Sequence, residues 1–426
     1  MFLKGFRSLF SELLPHGLAR LSSPFSFALH EAGLEHGSAG SGHTVVLGTR
    51  SDDSLDGTSD TNDIVLGFSG DDQLTGDGAI TVATAEEATL SGSDDKVIGG
   101  QGDDHIDGDG VVSVDSGGSG SLEGGDDLLS GGAGADVING DGRISASFAY
   151  GKLIGGNDKI VAGGGNDTVM GDGSTGVGRT SGELIGGDDR LITGQGDDML
   201  YGDGISVQVT GGDDVLRAGS GDDQLWGDGR AAPTLTGGDD TLDGGRGADI
   251  LYGDGEAYTT YSGPAVLTGG DDVLRGGDDD DVLYGDGIAT AGGYSADLTG
   301  GDDLLIGGNG DDMLWGDGIA TAGGGVATVN GGADTFLFSA TDGRDTVQDF
   351  RHADGDVLKF LCADLTWSDL DTNGSGVLDD GDAFIFSDGT DTRIDIGAAS
   401  GASAADLNVV TVAQTTGLVE SDLAFV

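Results

Sequence analysis

With 88 glycines, 76 acidic and only 18 basic side chains in 426 residues, this chain is too poor in large apolar residues for a conventional core. Its formal net charge of −58 makes it self-repelling unless a cation neutralises it, and excludes nucleic acid as a partner. The single Cys362 excludes an internal disulfide framework, and no apolar run approaches the roughly 18 residues of a transmembrane segment.

Residues 1–43 differ in composition from the rest. Phe2, Leu3, Phe6, Leu9, Phe10, Leu13 and Leu14 recur at helical spacing, and Pro15 to Gly17 ends the pattern. The spacing predicts a short amphipathic helix, read as a cap over the open end of a solenoid or as a membrane-surface or partner helix. It does not read as a Sec signal, because Glu12 and Pro15 interrupt the apolar stretch.

Residues 44–330 form the repeat region. Three loose units centred on Asp53, Asp63 and Asp72 lead into regular blocks starting at Gly92, Gly124, Gly155, Gly186, Gly211, Gly237, Gly269, Gly300 and Gly331. The first eight blocks each span 19 residues and end on Gly-Asp-Gly, as in GGDDVLRAGSGDDQLWGDG from Gly211 to Gly229. Each holds two nine-residue units of the approximate form G-G-x-G-x-D-x-U-x, with U apolar. The inserts between blocks have 13, 12, 12, 6, 7, 13, 12 and 12 residues, so all length variation follows Gly-Asp-Gly. In a two-sheet roll, alternate units turn on opposite edges. One edge is therefore tight, and the other carries every insert. Inserts such as ISVQVT (Ile205–Thr210) alternate like strands and predict short hairpins or strand extensions forming a secondary sheet or ridge; plain surface loops are the competing reading.

Residues 331–360 replace the pattern with bulkier side chains. Phe336, Phe338, Val347, Phe350, Leu358 and Phe360 are suited to closing the roll, whose end otherwise exposes core and unpaired strand. Residues 361–426 read as β-rich, with a hairpin around Asp388-Gly389.

The unit's chemistry is that of an oxygen-ligated cation. Turn glycines permit positive φ and bring carbonyl oxygens inward, while the sixth-position aspartate adds a carboxylate. Two stacked turns supply the 6–8 oxygens that Ca²⁺ takes; Mg²⁺ fits less well because it keeps its waters. On the tight edge the candidate ligands are Asp72, Asp104, Asp136, Asp167, Asp198, Asp223, Asp249, Asp281 and Asp312. On the insert edge they are Asp95, Asp127, Asp158, Asp189, Asp214, Asp240, Asp272, Asp303 and Asp334. An interrupted turn loses carbonyl ligands, which the Gly-Asp-Gly aspartates could replace; in the competing reading the aspartates only form turns. The eighth-position ladder (Leu200, Leu225, Leu251, Leu283, Leu314) is thin, so metal coordination must provide much of the folding free energy. About a dozen Ca²⁺ ions would offset nearly half of the −58.

A second candidate site is Asp371, Asn373, Ser375, Asp379 and Asp382, at positions 1, 3, 5, 9 and 12 of an EF-hand-like loop with Gly376 at position 6. Aspartate replaces the usual glutamate at position 12. The flanks favour an isolated calcium loop; an acidic turn without metal is the alternative. Tyr201, Trp226, Tyr252, Tyr284 and Trp315, each preceding Gly-Asp-Gly, form one stripe. It reads either as a stacking surface for carbohydrate or as a support beneath folded-over inserts.

From Gly48 to Val426 these residues resemble the RTX, or haemolysin-type calcium-binding repeat, proteins. Asp279, in a turn-glycine position, and the regular long inserts depart from the family pattern. The resemblance implies an all-β fold: a parallel β-roll of calcium-binding nonapeptides with hairpin inserts on one edge, a short N-terminal helix and a β-rich C-terminal cap. The terminal SDLAFV is similar to the C-terminal signals of type I secretion substrates. That implies a bacterial protein exported unfolded by the type I secretion machinery, which folds on multiple Ca²⁺ ions outside the cell or at its surface. No H-E-x-x-H or G-x-S-x-G motif occurs, and residues 1–43 are too few for a catalytic domain. The expectation is a non-enzymatic structural, adhesive or surface-layer protein, with a surface glycan or self-association as further partners. The alternatives are a polysaccharide-active enzyme with its site among the inserts, and a calcium-buffering or chaperone-like module for a partner.

Overall fold

One coil shows how the repeat folds. Lys96–Gln101 runs as a strand of a first sheet, the chain turns through Asp103 and Asp104, and His105–Asp107 runs in a second sheet. After Gly-Asp-Gly, Gly110–Val114 and Ser119–Glu123 form two arms of a third sheet before the next coil begins. The computed structural model describes residues 37–39, 43–59, 61–82, 87–114, 118–146, 150–175, 181–259, 263–363, 365–403 and 405–426. The helix expected over the first residues lies outside this set. Among the described residues no helix is long and apolar enough to cross a membrane.

Successive coils stack in parallel and in register. Leu129 pairs with Val97 and Ile160 in the first sheet, and Leu225 with Leu200 and Leu251 in the second. The alternation of a strand sends the eighth-position residue inward, and Val97, Ile106, Leu129, Ile138, Leu200 and Leu225 are all buried. Stacking this close needs glycine at the turns. Gly132 has φ +120°, and a Cβ there would lie 2.2 Å from the Gly100 carbonyl oxygen of the preceding coil.

The inserts form the expected secondary sheet but by a different pairing from a hairpin. The arm Gly110–Val114 pairs in parallel with Gly142–Ala146, and Ser119–Glu123 pairs in parallel with Tyr150–Ile154. Each arm thus bonds to its counterparts one coil away, not to the other arm of its own insert. The physical reason is burial. An isolated hairpin would leave Val112, Val114 and Leu122 uncovered, whereas stacked arms enclose them with Ile144, Leu153, Leu184, Leu235, Leu267 and Leu298 in a second core. The two shortest inserts narrow this core. Gly204–Thr210 is a single strand spanning both arms, and the extra residue of Gly229–Thr236 is taken up as a register shift between Ser206 and Gln208. There Thr175 Oγ1 and Ser206 Oγ share a 2.6 Å hydrogen bond in place of apolar contact.

Phe336, Phe338, Val347, Phe350, Leu358 and Phe360 extend the first core past the last regular coil. Thr335–Ser339 and Val357–Leu361 continue the first sheet in parallel. Antiparallel pairing occurs at both ends: Gly37–Ala39 pairs with His43–Leu47 before the first coil, and in the cap Ile385–Ser387 folds back on Thr392–Ile394 around Asp388-Gly389. Leu423–Phe425, from the terminal SDLAFV, lies beside Val357–Leu361 at the end of the first sheet.

Candidate metal centres

The fifth and sixth residues of each turn are both acidic in most coils, yet their surroundings differ. At the fifth position Asp71 and Asp103 are exposed, and each gives its Oδ1 to the fifth-position N–H of the next coil, at 3.0 Å from Asp103 and 2.8 Å from Ala135. Those carboxylates tie turn to turn in contact with water. Sixth-position aspartates are buried and bond the other way along the stack. Asp136 Oδ1 accepts from Asp104 N–H at 2.8 Å, and Asp223 Oδ1 from Asp198 N–H at 2.7 Å. Their Oδ2 atoms have no hydrogen-bond partner in any of the nine tight-edge residues from Asp72 to Asp312.

The insert edge repeats this arrangement. Asp158 Oδ1 accepts from Asp127 N–H at 2.7 Å, and Asp240 Oδ1 from Asp214 N–H at 2.7 Å. Oδ2 is unpartnered in Asp95, Asp127, Asp158, Asp189, Asp214, Asp240, Asp272 and Asp303. Asp334, at the entry to the closing unit, continues the pattern by donating its N–H to Asp356 Oδ1 at 3.2 Å.

Most bare oxygens face a cradle of backbone; at Asp167, Asp198 and Asp223 on the tight edge Ala162, Thr193 and Ala218 stand where the other turns have glycine. A Cβ on Gly140 would lie 1.5 Å from the Gly171 carbonyl oxygen and 1.9 Å from Asp158 Oδ2. On the tight edge, a Cβ on Gly131 would lie 2.2 Å from Asp136 Oδ2 and 2.9 Å from the Ala162 carbonyl oxygen. Carbonyl and carboxylate oxygens of neighbouring coils therefore converge where glycine leaves room. This donor set suits a hard cation with several oxygen ligands. Protein cations are scarce here: the buried Asp107 and Asp317 have Arg143 and Arg351, but no ion pair reaches the expected ligands on either edge among the described residues.

Electrostatics follow from that shortage. Burial, followed by like-charged neighbours, pushes Asp104 up to about 6, Asp223 to about 7 and Asp281 to about 8. On the insert edge burial raises Asp158, Asp189, Asp214 and Asp240 well above the usual carboxylate range. Buried carboxylates without counter-charge oppose folding at neutral pH, so an incoming cation would relieve a cost already built into both edges.

Both rows run further than the repeat spacing indicates. Asp345 continues the tight row by accepting from Asp312 N–H at 3.2 Å, and Asp356 continues the insert row. Each keeps the aspartate–x–apolar spacing, in Asp345-Thr346-Val347 and Asp356-Val357-Leu358. That spacing, with Gly343 two residues before Asp345, was the signal available once the leading glycine pair had gone.

The cap loop closes on itself apart from the rows. Asp371 accepts from Ser375 and Gly376 N–H groups at 3.0 Å, and the buried Asp382 accepts from Asn373 at 3.0 Å and Asp379 at 3.1 Å. Asn373 Nδ2 donates to Asp379 Oδ1 at 3.0 Å, while Ser375 Oγ donates to the Val377 carbonyl at 2.8 Å. A one-turn helix, Trp367–Leu370, precedes the loop and a strand follows it, so this is no helix–loop–helix.

The aromatic stripe is a continuous stack. Centroid distances from Tyr201 through Trp226, Tyr252 and Tyr284 to Trp315 are 4.5, 5.6, 5.0 and 4.7 Å. Both faces of Trp226, Tyr252 and Tyr284 are therefore occupied by neighbouring rings. Arg230 reaches from its insert over Trp226 at 5.9 Å and bonds Glu256 at 2.6 Å. The stripe supports the inserts, and its three central rings have no face left for carbohydrate stacking.

The family model for the RTX calcium-binding nonapeptide repeat matches residues 89–110, 123–142, 155–175, 186–204, 206–229, 235–258, 267–287 and 297–318. No curated protein matches the chain.

Proposed function

Since this chain belongs to the RTX calcium-binding repeat proteins by virtue of residues 89–318, we propose that Ca²⁺ drives its folding through the sixth-position aspartates of both edges. It is released unfolded by a bacterial type I secretion system, and takes up its ions on reaching the calcium-rich exterior. The observation that carries this reading is the double row of buried aspartates, nine on the tight edge and eight on the insert edge, that keep one carboxylate oxygen without a partner, most of them beside a glycine cradle. Ca²⁺ accepts the oxygens these turns offer, and its charge offsets part of the formal −58. The loop from Asp371 to Asp382 adds a separate Ca²⁺ site in the cap.

The role outside the cell is structural or adhesive. Two cores side by side give a repetitive body with a continuous insert sheet, suited to contact with a surface or with further copies. Far-UV circular dichroism of the full chain during calcium titration from EDTA tests the folding claim. The expected result is a disordered spectrum in chelator and a cooperative gain of β structure with Ca²⁺. A chain equally β-rich in EDTA would overturn it.

A further inference from the structure

The Gly-Asp-Gly aspartates form a line of their own along the insert edge. Asp172, Asp203, Asp228, Asp254 and Asp286 are fully buried. In the last three, Oδ1 accepts the N–H of the second glycine of the next coil, from Gly238 at 3.1 Å, Gly270 at 2.9 Å and Gly301 at 2.8 Å. Their Oδ2 atoms have no partner, and in Asp172 and Asp203 neither oxygen has one.

The ends of the line differ from its middle in an informative way. At the last turn Asp317 Oδ1 accepts from Gly332 N–H at 2.9 Å, as in the interior, and its Oδ2 receives Arg351 Nη1 at 3.1 Å. A guanidinium from the closing unit thus occupies the place where the turns from Asp172 to Asp286 leave a bare carboxylate oxygen. At the first turn Asp77 is satisfied by Ser93, whose N–H lies at 2.7 Å and Oγ at 3.0 Å. Asp109 shares the Ser93 N–H at 3.1 Å and takes Gly125 N–H at 2.9 Å, and Asp141 takes Gly156 N–H at 3.3 Å on both oxygens; from Asp172 to Asp286 the coils have neither the guanidinium nor the serine.

Successive members also converge. A Cβ on Gly211 would lie 1.4 Å from Asp228 Oδ1 and 2.8 Å from Asp203 Oδ2, and one on Gly237 would lie 1.6 Å from Asp254 Oδ1 and 2.6 Å from Asp228 Oδ2. Oxygens of Asp77, Asp95 and Asp109 lie within 4.8 Å of one another, so this line meets the sixth-position row.

We propose that the Gly-Asp-Gly aspartates are ligands of a second, charge-rich class of calcium site on the insert edge, shared between successive coils. This rests on the calcium reading above and deepens it. A six- to thirteen-residue insert interrupts the turn after Gly-Asp-Gly, and these aspartates add full negative charge beside the carbonyl oxygens that remain, such as that of Gly171 next to Asp158 Oδ2. More negative ligands around one ion make these sites fill before those of the tight edge.

Calorimetric calcium titration of three full-length proteins tests the proposal: the wild type, Asp203→Asn/Asp228→Asn/Asp254→Asn, and the tight-edge control Asp198→Asn/Asp223→Asn/Asp249→Asn. Asparagine keeps the Oδ1 acceptor and removes the charge. The first triple variant is expected to weaken the tighter class by about tenfold or more and leave the weaker class intact, with the control showing the reverse. Wild-type protein that binds no calcium would sink the calcium reading itself. Two classes unchanged by the first variant would sink only this proposal. Anomalous diffraction from wild-type crystals grown with Tb³⁺ decides the matter even if a variant fails to fold: peaks are expected within about 2.6 Å of Asp203 and Asp228 oxygens, and peaks confined to the tight edge would overturn the proposal.

Discussion

At Gly221 the backbone runs at φ +140°, and a Cβ would lie 1.9 Å from the Gly196 carbonyl oxygen of the coil before it. Gly263, in an insert, also has positive φ, at +89°, but nothing lies within 4 Å of its Cβ position. The pair separates two reasons for glycine, conformational freedom and coil-to-coil approach. Gly263→Ala is expected to cost only the backbone term, roughly 1–2 kcal/mol. Gly221→Ala must also push two backbones apart, so its thermal midpoint in saturating calcium should fall clearly further. Equal midpoints would mean that close stacking is not what glycine serves at Gly221. Residue identity at the sixth and eighth positions could be read from the chain because a buried carboxylate and inward packing recur there from unit to unit. Asp345 and Asp356 escaped that reading because the closing unit keeps their aspartate–x–apolar spacing but drops the leading glycine pair.

The inserts were visible as alternating strands, but their partners were not. Period and alternation identify an extended arm without saying whether it bonds four residues away or a whole coil away. Burial decides it: Leu267 pairs with Leu235 and Leu298 from neighbouring coils and is wholly buried in the second core. Leu267→Ala should therefore destabilise by about 2–5 kcal/mol while leaving the number of bound calcium ions unchanged, as read by denaturation and calorimetry on the same protein. A lost ion would tie the two cores together more closely than their separate packing implies. The aromatic stripe makes a parallel case. Trp226 is nearly fully buried between Tyr201 and Tyr252, so Trp226→Ala is expected to cost about 3–5 kcal/mol. The loss should be the same with and without added oligosaccharide. Protection of the wild type alone by a sugar would restore carbohydrate stacking as the purpose of the rings.

For the molecule as a whole, acid and calcium should compete for the same carboxylates, each neutralising charge that opposes folding. Without metal, burial raises Asp104, Asp167 and Asp312 to about 6, Asp136, Asp223 and Asp249 to about 7, and Asp95 and Asp281 to about 8. In the unfolded chain the same groups titrate near 4. The folded state then binds more protons than the unfolded state between about pH 4 and pH 8, so metal-free stability falls as pH rises across that window. In EDTA, β structure should therefore be greatest near pH 4 and vanish towards pH 8, with light scattering used to separate folding from aggregation. Calcium competes with those protons. Each protonated ligand must release its proton to take the cation, so calcium binding should release more protons per ion near pH 6 than near pH 8, as read by calorimetry in buffers of different ionisation enthalpy. Proton release independent of pH would mean that the titrating aspartates are not the ligands. The raised values all belong to side chains with a bare oxygen, so one titration series reports on both edges at once. On the proposed reading, such a chain would remain unfolded at neutral pH in a calcium-poor compartment because of the same buried charges that would bind the ion once calcium is plentiful.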